Sequence, residues 1–232
     1  MSQKAQIAEE FRRYAYSVSH DVSAPVRAMV EFSKLLAAED MDSLSEDCRE
    51  YLSLIIENGQ KLQVMMEGLL DYSRVNTLAT PFEDVDLNKV INAVLFALEG
   101  RIRNAHAVVE VDWLPIVKGD EEQLRLLFHV LLDNALKFQP SGNIPNIHIY
   151  ANKGMHGCTF CITDNGIGIP PRHSKIVFDL FKRLHTDEEY KGVGIGLTLA
   201  KKIVERHGGV IDCSGHLPAG TVITFNLNAA GS

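Results

Sequence analysis

The 232 residues are 46% hydrophobic and 23% charged, enough apolar material for one or two globular domains with a real core and too much for a disordered chain. The formal net charge is −7 and no block of clustered Lys and Arg occurs, which argues against nucleic-acid binding, since phosphate contacts need such clusters. No apolar run reaches the roughly 18 residues of a membrane span, and the opening "MSQKAQIAEEFRR" lacks a signal peptide's apolar segment, so the expectation is a cytoplasmic chain or the cytoplasmic part of a larger protein.

From Phe11 onward apolar residues recur as Ala15, Val18, Val22, Pro25, Met29, Phe32 and Leu36, alternating steps of three and four, which is a helical heptad. A second stripe of Leu52, Ile55, Leu62, Met66 and Leu69 has the same spacing, with Gly59 in its one gap. Between them "AEDMDSLSED" is polar and offers Ser45 as a cap. The spacing predicts two long antiparallel helices. A lone hairpin cannot bury both stripes, and a second copy is the simplest cover, giving a homodimeric four-helix bundle.

Within the first helix, "SVSHDVSAPVR" (17–27) carries His20, Asp21 and Pro25. If Ala15 and Val18 face the bundle core, His20 lies about 200° round the helix from Val18 and points to solvent. An exposed imidazole of pKa about 6.5 is largely neutral at pH 7 and is a nucleophile. The Asp21 carboxylate beside it can hold the ring or take its proton. Pro25 cannot donate to the Asp21 carbonyl, so this turn can bend.

The periodicity changes after Tyr72, and "SRVNTLATPF", ending near Pro81, reads as a linker. Beyond it, helical and strand-like stretches mix: helix "DLNKVINAVLFALEGRIR", strand "AVVEVDWL", helix "DEEQLRLLFHVLLDNALKF", strands "NIHIYAN" and "GCTFCITD", helix "GLTLAKKIVERHG", and strands "GVIDCSG" and "TVITFNLN". The predicted class is α+β, a helical hairpin (1–75), a linker (76–81) and a sandwich of helices on one face of a mixed sheet (82–229). The Cys158–Cys161 pair has redox or zinc spacing, but on a strand positions three apart point to opposite faces, and with Cys48 and Cys213 scattered the expectation is reduced, half-buried thiols.

Three stretches of the second region combine chemically. "LLDNALKF" puts Asn134 and Lys137 one helical turn apart, an amide oxygen suited to Mg²⁺ beside an ammonium suited to phosphate. "DNGIGIP" ends a strand on Asp164, able to accept from an exocyclic amine, followed by Gly166 and Gly168, which permit a tight turn. "GVGIGL" sets Gly192, Gly194 and Gly196 before a helix start that welcomes phosphate. A dinucleotide fold is excluded because the stretch before these glycines is polar and the spacing is G-x-G-x-G.

In order and spacing these motifs resemble the sensor histidine kinases of two-component systems: "SHDVSAPVR" their H box, "LLDNALKF" the N box, "DNGIGIP" and "GVGIGLTLAKKIVERHGG" the two glycine boxes, and "FDLFKRLH" the F box. The resemblance covers almost the whole chain and implies a dimerisation and histidine-phosphotransfer module followed by a Bergerat-type ATP-binding domain. It implies autophosphorylation of His20 from ATP with Asp21 as proton acceptor, Asn134 on Mg²⁺, Lys137 on phosphate, Phe138 beside the nucleotide and Asp164 on adenine. It further implies that Arg183 reaches the phosphates, that residues 182–191 form a lid, and that the phosphoryl group passes to an aspartate of a response regulator. Two positions depart from the family pattern. Val130 stands where a second polar metal ligand is usual, which speaks against an ATP-hydrolysing machine and keeps a nucleotide-binding dimeric scaffold as the alternative. Ala24 stands where phosphatase-competent members carry Thr or Asn, so weak phosphatase activity is expected.

Overall fold

Heptad spacing and a serine cap account for the first elements of the computed structural model, which describes residues 22–38, 44–77, 80–154, 157–186, 189–215 and 220–228. Two compact units are present, Met1–Arg74 and Val75–Ser232. Among the described residues, no helix is long and apolar enough to cross a membrane.

In the first unit, α1 is helical over 22–38, running through Pro25, and α2 spans Glu46–Thr77. Ser45 begins α2 as expected, its hydroxyl accepting the Cys48 N–H at 3.3 Å and its carbonyl accepting from Arg49. Glu46 and Asp47 in the first turn and Arg74 in the last suit the helix dipole. The buried seam of α1 is Val26, Val30 and Ser33, not the stripe singled out by the heptad. A β-carbon on Gly59 would overlap Val30 Cγ2, so α1 and α2 approach closely where the sequence shows a gap. The Ser33 hydroxyl is satisfied by donating to the Met29 carbonyl at 2.8 Å. Met29, Phe32 and Leu36 are 58%, 67% and 59% exposed, and Ile55 and Leu62 of α2 are exposed too, so these residues of the predicted stripes form an outward apolar seam of the hairpin, whereas Met66 is buried. Phe11, Ala15 and Val18 lie outside the described residues, as do His20 and Asp21.

The helix expected to stop near Tyr72 continues to Thr77, because no Pro or Gly interrupts it before Pro81. In the second unit, short strands β1 (Glu83–Asp86) and β3 (Ile116–Gly119) pair antiparallel; the sequence reading missed both. The expected helix after β1 is two, α3 (Leu87–Ala97) and α4 (Glu99–Asn104), parted at Leu98. The five-stranded sheet has the order β2 (Val108–Val111), β4 (Asn146–Gly154), β5 (Gly157–Asp164), β7 (Thr221–Leu227), β6 (Ile211–Gly215). β2 and β4 are parallel and the other pairs antiparallel.

Alternation along these strands sends Ile147, Ile149, Phe160, Ile162, Ile223 and Phe225 to one buried face. Helix α5 (Glu121–Lys137) lays Leu124, Leu127, Phe128, Leu131, Leu132 and Ala135 inward at helical spacing. The Phe128 ring meets Phe160 and Phe225 edge-on at 6.4 and 5.8 Å, and those two rings stack at 5.2 Å. Helix α6 (Gly196–Arg206) packs beside α5 through Leu199, Ala200, Ile203 and Val204. Cys158, Cys161 and Cys213 are free and more deeply buried than expected, and burial pushes the Cys213 thiol up to about 11.

A polar clamp closes the end of α6 remote from Gly196. Asp120 caps α5 by accepting from the Gln123 N–H, and its other oxygen accepts from the Thr80 N–H at 3.0 Å and from Arg206 at 3.2 Å. Arg206 also donates to Gln123 Oε1 at 2.8 Å and to the Thr80 carbonyl at 2.9 Å, while its guanidinium covers the Phe82 ring. Burial alone would raise the Asp120 carboxyl, but the hydrogen bonds from Thr80 and Gln123 and the Arg206 charge hold it below its usual value. His207 lies beneath, stacked on Phe82 at 4.6 Å, accepting the Asp120 N–H at Nε2 and meeting the Ile203 carbonyl through Nδ1.

Candidate functional site

The end of α5, the end of β5, the segment around 182–195 and the start of α6 enclose a cavity of about 340 Å³, within the size range of small-ligand sites. Each element brings one kind of chemistry to it.

Strand β5 delivers Asp164 to the wall at the expected strand end. Its Oδ1 accepts the backbone N–H groups of Gly166 at 2.8 Å and Thr221 at 3.1 Å, which fixes the carboxylate. Gly166 does not line the cavity. A β-carbon there would strike the Phe138 carbonyl oxygen, so this glycine lets the 164–168 turn tuck under the end of α5, where the Ile167 N–H donates to that carbonyl at 3.0 Å. Gly168 does line it, at φ 76° with a β-carbon position 2.9 Å from the Gly220 carbonyl oxygen, a conformation suited to glycine.

Helix α5 contributes Asn134, Lys137 and, just past its last turn, Phe138. Lys137 Nζ lies 4.7 Å above the Phe138 ring. Val130, one turn before Asn134, also reaches the wall and offers only methyl groups. Asp133 pairs with Arg101, and burial together with the Arg101 charge holds the neighbouring His129 below its usual value, so that ring is neutral at pH 7.

Gly192, Gly194 and Gly196 also line the cavity, Gly196 close against Val130 and Asn134 of α5. Helix α6 begins at Gly196 with no side chain capping its N-terminus, leaving backbone N–H groups and the positive end of the dipole at the cavity. Gly194 has φ 73°, and a β-carbon on it would lie 2.6 Å from the Lys182 carbonyl oxygen. Arg183 lines the cavity and donates to the Tyr190 carbonyl at 2.8 Å. Tyr190, His185 and Lys182 are wall residues the sequence reading did not single out; the signal for Tyr190 was a lone aromatic within the charged "HTDEEYKGVG".

The lining thus combines apolar side chains and a fixed carboxylate with a lysine, an arginine, an amide and an uncapped helix start. Such a combination suits a ligand with a flat amine-bearing base and a polyanionic tail. Among the described residues no group of three His, Cys, Asp or Glu could hold a metal. The Asn134 amide oxygen is a hard donor of the kind that would hold Mg²⁺ together with phosphate oxygens and water.

On the hairpin, a separate hollow is lined by Ala24, Arg27, Glu31, Glu67, Asp71 and Arg74. Burial pushes the Asp71 carboxyl up, against the pull of Arg74 and with the repulsion of Glu67 added.

Residues 119–231 match the family model "Histidine kinase-, DNA gyrase B-, and HSP90-like ATPase", and residues 12–78 match "His Kinase A (phospho-acceptor) domain". The chain is 36% identical over 222 residues to cyanobacterial phytochrome A of Nostoc sp., an alignment covering 96% of this chain and 29% of that relative. The solved structure of the mycobacterial sensor histidine kinase MprB is 31% identical with a TM-score of 0.55, over 64% of this chain and 97% of that one. The histidine kinase ThkA, solved in complex with the response regulator protein TrrA, shares the fold at 21% identity and a TM-score of 0.65, over 99% of this chain and 68% of its own. With a helical phospho-acceptor region followed by a mixed-sheet ATPase domain, this chain belongs to the sensor histidine kinases and carries their catalytic core.

Proposed function

We propose that the chain is an ATP-dependent protein kinase that phosphorylates its own His20 and passes the phosphoryl group to an aspartate of a response regulator. The observation that carries this reading is the cavity itself: a carboxylate held by two backbone N–H groups lines it together with Asn134, Lys137 and the start of α6. Asp164 accepts from the exocyclic amine of adenine, with Phe138 against the nucleotide. Lys137, Arg183 and the N–H groups at Gly196 take the phosphates. Asn134 would hold Mg²⁺, which would supply charge neutralisation on the phosphate oxygens. The neutral His20 ring attacks the γ-phosphorus in line as the bond to ADP breaks, and Asp21 accepts the proton the ring releases.

The outward seam of Met29, Phe32 and Leu36 supports a homodimer, since a second copy would cover it. The hollow that includes Ala24, four residues after His20 in the sequence, supports docking of a regulator there, and ThkA having been solved with a response regulator supports a regulator as the partner. Ala24 provides no side-chain oxygen to position water, so the bound regulator keeps its phosphoryl group.

Incubating the purified chain with γ-labelled ATP and Mg²⁺ tests this. Acid-labile label on the protein, lost in Asp164→Asn, is the expected result; steady phosphate release without labelled protein would instead mean a plain ATPase. A second reading, a nucleotide-binding scaffold without kinase activity, is favoured by Val130 alone and predicts no label at any Mg²⁺ concentration.

A further inference from the structure

The segment that supplies Lys182, Arg183, His185 and Tyr190 to the cavity wall is gathered at a neck. Phe181 and Gly194 stand at its two ends in left-handed conformations, with φ 59° and 73°. A β-carbon on Gly194 would lie 2.9 Å from the Phe181 carbonyl carbon, so the two ends are pressed together. A brace crosses the loop where Arg183 donates to the Tyr190 carbonyl at 2.8 Å, and the Tyr190 N–H donates to Thr186 at 3.1 Å. Arg183, Thr186 and Tyr190 are thereby tied to one another, and the question is what ties them to the rest of the unit.

Tyr190 reaches outside the loop. Its hydroxyl donates to the Gln139 backbone carbonyl at 3.0 Å, just beyond α5. Its ring packs against Phe138, centroids 5.2 Å apart, and meets His185 edge-on at 5.3 Å. The Gln139 and Phe138 contacts fall at the end of the helix that carries Asn134 and Lys137.

We propose that Tyr190 is the latch of this loop: a positioning residue whose hydroxyl, anchored on Gln139, sets how fast the cavity opens and closes around a nucleotide. This rests on the reading of the cavity as an ATP site. The anchor is a backbone carbonyl outside the cavity wall, so a nucleotide does not compete for it and the latch holds with the cavity empty or filled. Arg183, by contrast, braces the loop with a guanidinium that phosphate can draw away. Opening for access and opening for release must then break the same hydroxyl bond, which slows both and leaves the equilibrium almost unchanged.

Tyr190→Phe in the full chain removes that bond and keeps the ring. Stopped-flow binding of a fluorescent ATP analogue is expected to show association and release both faster by about five-fold, the effect of one neutral hydrogen bond, with Kd within about two-fold of wild type. Hydrogen exchange of the 182–191 peptide without nucleotide is expected to quicken by a similar factor. Tyr190→Ala, which also loses the Phe138 contact, accelerates exchange further. If neither rate nor exchange changes in Tyr190→Phe, the latch is refuted. Faster release with unchanged association also overturns it, since the hydroxyl would then be touching the nucleotide. A wild-type chain that binds no nucleotide defeats the ATP reading separately, and in that case the exchange measurement on the empty cavity decides the latch.

Discussion

Val130 lies directly against Gly196: a β-carbon on the glycine would sit 3.0 Å from Val130 Cγ1 and 3.7 Å from Asn134 Nδ2. The start of α6 therefore rests on the face of α5 that presents Asn134, with methyl groups in place of an oxygen one turn earlier. Val130→Asn puts a second amide on that face, within reach of the same cation. The Mg²⁺ concentration for half-maximal self-labelling is expected to fall by about two- to ten-fold, the scale of one added polar contact. A Mg²⁺ titration of both proteins measures it. An unchanged midpoint would mean that position 130 is too far from the ion.

Asp164→Asn keeps the side chain's shape and one oxygen for the Gly166 and Thr221 N–H groups, but replaces the second oxygen, the acceptor proposed for the base's amine, with a donor. Affinity for ATP is expected to fall at least ten-fold, as for loss of a hydrogen bond to a charged group, about 1.5–3 kcal/mol. The melting temperature should move little. Calorimetric titration with ATP, read beside a thermal melt, separates loss of recognition from loss of fold.

Stability should depend on pH near neutrality through His207. Burial holds this ring below its ordinary 6.5, and the Arg206 charge beside it adds to that, against the Ile203 carbonyl and Asp120. The unfolded chain therefore takes up a proton first as pH falls, so the stabilisation is complete above about pH 6.5 and declines below it. His129 is lowered too and acts with the same sign. Urea unfolding between pH 7.5 and 5 should show a steady loss of stability with acid. His207→Gln should be less stable at pH 7.5, by about 1–3 kcal/mol for the broken buried hydrogen bonds, yet lose less on acidification than wild type.

Phe32 is 67% exposed on the hairpin seam. Phe32→Glu places a charge where a second copy would bury an aromatic ring, so it should convert a dimer to a monomer in sedimentation equilibrium without unfolding the second unit. A wild-type chain that is already monomeric at micromolar concentration would remove the basis for the bundle.

The glycine motifs were legible because backbone demands leave few alternatives: Gly168 and Gly194 occupy left-handed conformations, and Gly166 and Gly59 sit where a β-carbon would collide with Phe138 and Val30. The helical hairpin and the strand ending at Asp164 followed from periodicity for the same reason. Heptad spacing could not say which seam is inner, since Val26 and Val30 obey it as well as Met29 and Phe32 do. β1 and β3 escaped because four residues such as "EDVD" and "IVKG" carry too few apolar positions to show alternation, and their pairing is set by the chain around them. Tyr190 was invisible as a functional group because its partners, Phe138, Gln139 and Arg183, are brought to it by the fold. The 76–81 linker expectation overlapped the last turn of α2, where Val75 is buried and its carbonyl accepts from Gln123 at 2.8 Å.

The central claim is that the cavity serves a nucleophile on α1's own chain. Tandem mass spectrometry of the intact chain after incubation with ATP and Mg²⁺, under alkaline conditions that preserve phosphohistidine, tests it most directly. The account predicts one phosphoryl group, mapped to His20, absent from His20→Gln while that variant still binds ATP. Phosphate on any other residue, or label retained in His20→Gln, would contradict it.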